Sequence, residues 1–443
     1  MKSEQARTYL IALAAAALAG IPVAAAAVLF DSLVHGLTTV FWTDIPKDVL
    51  DVGEPPWWYV LLLPTLAGAL TWPVLKLPGK GGHSPADGLS FAPAGPKLAA
   101  GAILAAFISL VLGIVLGPEA PLVALGLALG TVAGRLAAKN QVMASMVALA
   151  GGFAAISTVF GGPLASSLLL FEAVATSGQF QSGLLQRILL PGLLAAGIGQ
   201  LVFTGVAGWS GVNEIALAIP GLPHYGSVRV VDIPITILIA IVTAAFVLGA
   251  RRLGSLSFHR IGGRLPVLLA GGLGVGLCAV LFHEISGKPL GLVLFSGETG
   301  LSGILTQTSA AVVVGCLFAK AIAYALSIGA GFRGGPVFPS LFLGVAVGVL
   351  MTIAFSDFSI TAGVAAGVAA AAAAALRTPF TGALLGSLIV GSAGTNTVPL
   401  AIIAAVVAWL IALAASGSVA AQPETPSAPA AEAPSDPPSQ AAT

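Results

Sequence analysis

The chain has 443 residues, of which 57% are hydrophobic and 8% charged, with a formal net charge of +1 and a mean hydropathy of +1.02. Ordinary soluble domains carry about 25% charged residues, so this composition excludes one and indicates an all-α, polytopic membrane protein. The near-zero charge and the lack of a long basic tract exclude nucleic acid as an expected partner.

Lys2 and Arg7 precede an alanine-rich run over residues 9–30. That run exceeds the roughly 7–15 residues of a signal-peptide core and is long enough to cross a bilayer, so it reads as the first span. The two cations predict a cytoplasmic N-terminus in the cell membrane by the positive-inside rule. An acidic outer loop with Asp44, Asp48, Asp51 and Glu54 follows, and Trp57, Trp58 and Tyr59 form an interfacial belt ahead of a span at 60–75. Gly79-Lys80-Gly81-Gly82-His83-Ser84-Pro85 is too rich in glycine for a helix interior and predicts a re-entrant loop or helix start.

Residues 98–116 read as a long span, and Gly117-Pro118-Glu119-Ala120-Pro121 opens the next, at 122–138. A span at 142–160 leads to a helix starting near Pro163 that carries Glu172, the only ionisable residue between Lys139 and Arg187. Glu172 has two readings, a proton-path carboxylate or a surface glutamate at a membrane end. Further spans are read at 184–206 and 233–250, after which Arg251, Arg252, Arg260 and Arg264 form the densest basic loop, cytoplasmic by the same rule. Spans at 266–281, 310–328, 339–355, 361–376, 379–390 and 400–415 complete the bundle. The predicted membrane domain is 1–416, with halves of roughly 1–215 and 216–416, and the Pro/Ala/Ser-rich tail 417–443 reads as disordered.

Glu119 is the only ionisable residue between Lys97 and Arg135, and a carboxylate so far from either membrane surface is by default functional. Proline is tolerated at a helix start, and the free N–H groups and dipole of that end attract anions. An anion and the Glu119 side chain would therefore compete for one electropositive pocket. Gly335-Pro336-Val337-Phe338-Pro339 with Leu343-Gly344 repeats the pattern of Gly117 to Pro121 with Leu125-Gly126 at an offset of 335 − 117 = 218, and Pro379 echoes Pro163 at 379 − 163 = 216. Paired proline-broken segments at matching positions point to duplicated halves with a transport site between them.

Other motifs carry less. Gly300-Leu301-Ser302-Gly303 has the Gly-x-Ser-Gly form of an intramembrane serine protease, but such an enzyme needs a histidine base on a later helix and the last histidine is His283. His283-Glu284 lacks a second histidine four residues away, so no zinc-protease motif is present. His35, His83, His224 and His259 read as loop or helix-end residues, and Glu214, Asp232 and Glu298 as solvated carboxylates. Cys278 and Cys316 lie in apolar runs as packing residues, and no metal or cofactor is expected.

At these motifs the chain resembles the CLC family of chloride channels and proton/chloride exchangers, over essentially everything before the tail. The family's Gly-Arg-Glu-Gly-Pro is similar to Gly117 to Pro121, which implies Glu119 as the gating glutamate. Its Gly-x-Phe-x-Pro is similar to Gly335 to Pro339, and its Gly-Ser-Gly-Ile-Pro to Gly81 to Pro85. The resemblance implies an inverted repeat of broken, tilted helices, a homodimer with one anion pathway per subunit, and chloride or another small anion as cargo. It places the anion among Gly82, Ser84, Gly117, Pro118, Ala120, Gly335, Val337 and Phe338. Departures are equally informative. Gly82 stands where the family has a serine, Pro336 lacks an N–H, and Phe338 is one place late. No tyrosine lies in the last hundred residues, and Ala173 stands where exchangers carry their internal proton-relay glutamate, Glu172 matching the residue before it. The expected function is a chloride channel in which ionised Glu119 blocks an anion position until protonated, with proton-coupled chloride exchange or fluoride export as the alternatives.

Overall fold

In the computed structural model the described residues are 3–79, 81–88, 95–137, 141–176, 188–210 and 218–416; the predicted tail, Lys80 and Glu214 lie outside them. The chain runs α1 (Ser3–Thr39), a wider π-type helix (Val40–Val49), α2 (Trp57–Val74), a one-turn 3-10 helix (Pro85–Asp87), α3 (Pro96–Val111), α4 (Glu119–Ala137), α5 (Gln141–Val159), α6 (Pro163–Thr176) and α7 (Leu190–Ser210). The second part holds α8 (Asp232–Ile261), α9 (Leu265–Ser286), the short α10 (Leu301–Leu305), α11 (Ala310–Ala330), α12 (Val337–Ala354), α13 (Ile360–Leu376), α14 (Pro379–Ile389) and α15 (Val398–Ala415). Among the described residues nine helices are long and apolar enough to cross a membrane, and the protein is a multi-pass membrane protein.

The duplication is written into the backbone. α3 stops at Val111, short of the predicted 116, because Gly113 takes a left-handed φ of 87° and unwinds the chain to Pro118. Gly331 does the same after α11 with φ 97°, at 331 − 113 = 218. Unwound backbone inside a membrane needs every polar group satisfied, and each half supplies the other. Ser109 Oγ accepts the Arg333 N–H at 3.4 Å, Ser327 Oγ accepts the Val115 N–H at 3.2 Å, and both serine pairs keep the 218 offset. The two leads then meet as an isolated antiparallel bridge, Gly117 N–H to Gly335 O at 2.7 Å and Gly335 N–H to Gly117 O at 2.6 Å.

Beyond the bridge, α4 packs on α5 and α12 on α13 through glycine contacts that repeat at offsets of 344 − 126 = 218 and 367 − 151 = 216. A Cβ on Gly126 would fall 2.4 Å from Gly151 O, and one on Gly344 would fall 2.2 Å from Gly367 O. Small residues let membrane helices approach backbone to backbone, which is where association in lipid finds its dispersion energy.

Several expectations need correction. Helix α8 runs on for eleven residues past 250, so Arg251, Arg252 and Arg260 sit on helix rather than in a loop, and only Arg264 caps the turn. Acidic residues 44 and 48 lie in the π-type helix, not a loop. Asp232 is buried at the start of α8, accepting from Tyr225 Oη at 2.7 Å and pairing with Arg229 at 2.9 Å, so it is no solvated carboxylate. Tyr59 is buried and donates to Phe41 O at 2.7 Å, leaving only Trp57 and Trp58 exposed in the aromatic belt. Both cysteines are free thiols.

Introducing a methyl group at Gly151 or Gly367 would meet backbone 2.2 Å and 2.0 Å away, which cannot swing aside. Either Gly→Ala variant should lose about 1–3 kcal/mol, read as a melting temperature several degrees lower in detergent. Gly249→Ala, on an open face of α8, should leave it unchanged.

Candidate functional site

Pro118 and Pro336 precede α4 and α12 rather than occupying their first turns. Leu122 N–H already bonds to Pro118 O at 3.1 Å, so Glu119 is the first residue of its helix, and Pro336 is the N-cap of α12. Having no N–H of its own, Pro336 leaves the Val337 and Phe338 amides as the first donors at that end. Its carbonyl is held by Tyr324 Oη and Ser340 Oγ, each at 2.8 Å, which fixes the direction in which those amides point.

They point at Glu119. Its side chain is 1% exposed and crosses from its own helix to the start of α12, where Oε1 accepts the Val337 N–H and the Phe338 amide also faces it. Oε2 has no hydrogen-bond partner. The carboxylate lies between the two bridging glycines: a Cβ on Gly117 would fall 2.0 Å from Oε2, and one on Gly335 2.0 Å from Cδ. Neither glycine has a positive φ, so both are needed for space rather than for backbone freedom. Their own N–H groups are spent on the bridge. Phe338 stacks on Phe160 with ring centroids 6.1 Å apart, which ties the Pro163 landmark to the same place.

On the other side of the α4 start lies a cavity of about 350 Å³, lined by Gly81, Gly82, His83, Ala120, Pro121 and Arg333 among others. Gly82 and Ala120 therefore share one space. The Gly82 N–H is committed to Gly79 O at 2.8 Å. Ser84 is buried, does not line this cavity, and uses its Oγ to accept the Ala86 N–H at 3.2 Å as cap of the one-turn helix. A second cavity of about 580 Å³, lined by Asp87, Ala173, Arg251, Arg252, Arg377 and Thr378, shares Gly88 with the first and opens on the arginine-rich side.

Glu172 is buried and not at a surface. Its carboxylate accepts the Phe380 N–H at 2.8 Å, the Thr381 N–H at 2.6 Å and the Thr381 hydroxyl, so it caps α14 as Glu119 caps α12. Ser302 is exposed on the five-residue α10, and His283 is held by Lys288 O at 2.9 Å and Glu54 at 3.5 Å, so the protease motif has no assembled base. No group of three or more His, Cys, Asp or Glu side chains that could hold a metal occurs among the described residues.

Three residues escaped the sequence reading. Lys320, buried on α11, donates to Val293 O at 3.2 Å, Leu294 O at 3.0 Å and Phe295 O at 3.3 Å, and faces the Phe342 ring at 4.5 Å. It pins the loop whose Phe295 N–H reaches back to Gly113 O at 3.4 Å. As the single charge between residues 310 and 330 it carried the same signal that singled out Glu119. Tyr324, four residues on, and Arg333, inside the second motif's lead, are the others.

A family model described as "Voltage gated chloride channel" matches residues 92–413. The chain is 28% identical to the "Putative ion-transport protein YfeO" of Escherichia fergusonii, covering 79% of this chain and 81% of that protein, and 28% identical to the one from Salmonella choleraesuis over 84% and 87%. Among solved structures its fold resembles a slow cyanobacterial Cl−/H+ antiporter (TM-score 0.70, 20% identity, 92% of this chain and 95% of that one). It also resembles a CLC-type fluoride/proton antiporter (TM-score 0.65, 20% identity, 93% and 96%). Inverted, proline-broken helices meeting at a buried glutamate, with a family match over well over half of the sequence, establish that this chain belongs to the CLC family.

Proposed function

We propose that this CLC-family anion transporter, which is not an enzyme, conducts chloride passively through a pathway gated by Glu119. The observation that carries the reading is the Glu119 carboxylate seated on the Val337 and Phe338 amides between Gly117 and Gly335. Those N–H groups would serve a halide as well as a carboxylate, since a helix start with unspent donors is an anion site. While ionised, Glu119 fills that place. Protonation removes its charge, and the neutral side chain yields the donors to the anion. Gly117 and Gly335 act here as walls rather than donors, and Pro118 and Pro336 set the helix starts. Anions enter by the basic vestibule of Arg251, Arg252 and Arg377, which we place in the cytoplasm with the N-terminus, in a homodimer embedded in the cell membrane.

Passive conduction is favoured over coupled exchange by the geometry of the candidate proton path. Ala173 carries no proton, and the Glu172 carboxylate is engaged by three donors on α14. A second reading, proton-coupled exchange of chloride or fluoride, is supported by the need to protonate Glu119 and by the fold shared with proton antiporters. A chloride gradient that drives protons uphill in sealed vesicles would select it.

Chloride flux from liposomes should rise as pH falls in the wild type and be flat with pH in Glu119→Gln; an unchanged profile in the variant would remove Glu119 from the gate. Gly335→Ala should evict the carboxylate and give the same flat, open profile without touching the titrating group. Glu172→Gln should leave the pH profile intact and cost about 1–3 kcal/mol of stability through the lost cap, read by thermal melting in detergent.

A further inference from the structure

Helices α8 and α9 leave a shared turn, yet each packs against α11 rather than along the other. The wedge between them, floored by α11, is a groove of about 690 Å³ lined by Phe246, Leu253, Ser257, Gly271, Phe318 and Ala330 among others. All three helices are candidate membrane spans, and Leu253, Phe318 and Ile322 of its lining are exposed, so the groove opens to the bilayer and not into the bundle. None of its lining residues belongs to the cavity beside Glu119 or to the arginine-rich vestibule.

The groove has a direction. At one end Phe246 and Phe318 meet edge to face with ring centroids 5.2 Å apart. At the other, the lining stripe of α8 passes Leu253 and Ser257 and ends in cations. Arg260 lies seven residues after Leu253, on the same face of the helix, and Arg264 caps α9 three residues before the lining Val267. Long helical side chains lean toward the N-terminus of their helix, so the turn that a side chain at 260 covers is that of Ser257. Both arginines are exposed, and among the described residues neither makes an ion pair or a side-chain hydrogen bond. Arg251, by contrast, donates to Ala375 O, and Arg252 lines the vestibule. From Phe246 to Arg260 is 260 − 246 = 14 residues, about 21 Å of helix, more than the roughly 15 Å depth of one leaflet.

We propose that this groove binds an anionic phospholipid: one acyl chain lies on α11 between α8 and α9 as far as the phenylalanine pair, and the phosphate sits between Arg260 and Arg264. Guanidinium forks take phosphate oxygens in pairs. Basic pockets between membrane helices hold anionic headgroups on the cytoplasmic side, which is where the positive-inside rule puts this end of α8. A second copy of the chain is the poorer occupant, because a two-fold contact would set the same cations against each other. The lipid braces the joint it covers. Gly263 N–H, next to Arg264, bonds to Ala330 O at 2.9 Å, and Ala330 is followed by the left-handed Gly331 that unwinds the chain towards α12.

The test is titration of the full chain in detergent with phosphatidylglycerol, phosphatidylcholine and glycerol phosphate, read by native mass spectrometry. Phosphatidylglycerol should bind saturably and about tenfold more tightly than phosphatidylcholine, the scale of one charge-assisted hydrogen bond, and glycerol phosphate should not bind. Arg260→Gln combined with Arg264→Gln should bring phosphatidylglycerol down to the level of phosphatidylcholine. Gly249→Trp, whose side chain enters the open groove, should weaken both lipids with both arginines in place. Diffraction from wild-type crystals grown with phosphatidylglycerol brominated in its acyl chains should show anomalous peaks between α8 and α9, a measurement that needs no variant to fold. Equal affinity for the two lipids, binding of glycerol phosphate alone, unchanged affinity in a folded double variant, a groove without bromine, or a second copy of the chain seated there would each overturn the site. Every one of these readings is independent of whether, and which, anion crosses.

Discussion

A carboxylate that completes a helix other than its own is the contact on which the rest of this molecule turns. Capping a helix start contributes about 0.5–2 kcal/mol, and more when the acceptor is charged. Removing a carboxylate from water costs several kcal/mol. The cap offsets part of that cost. The rest of the seat is fixed by other means. The Pro336 carbonyl is anchored by Tyr324 and Ser340, the glycine bridge sets the width, and Phe160 backs Phe338.

The same chemistry is used twice with different completeness. At α14 the Glu172 carboxylate receives two amides and a hydroxyl over both oxygens, whereas Glu119 leaves Oε2 without a donor. The seat on α14 is complete over both oxygens, and the seat on α12 leaves one oxygen unoccupied.

Much of this was legible in the sequence, because the observations that mattered were covalent or combinatorial. Glycine and proline at fixed offsets announce broken helices, and a single acid in 37 apolar residues (98–134) announces a site. What could not be read was which face each group serves. Glu172 could be read as a surface residue because nothing in its neighbourhood reveals that α14 starts beside it, with Phe380 donating from 208 residues later. Asp232 looked solvated for the same reason, its partners being settled by the turn that returns Arg229 and Tyr225 to it. The break of α3 at Val111 was hidden in an unbroken apolar run, since a left-handed glycine has the same letter as a helical one. Lys320 and Arg333 were missed although each is a lone charge among apolar neighbours. The three carbonyls that satisfy Lys320 come from a loop 25 to 27 residues earlier, which no local pattern discloses.

The bridge between Gly117 and Gly335 is made of peptide groups alone, and this frees the repeats to drift apart. A clasp built from side chains would have to be conserved in both copies, or changed in both at once. Peptide groups are present whatever the side chains become, so an ancestral pair of identical motifs could come to hold Glu119 against Val337, and Arg333 against Val115, without losing alignment. Gene duplication in this architecture thus yields two opposite specialists facing a common seam.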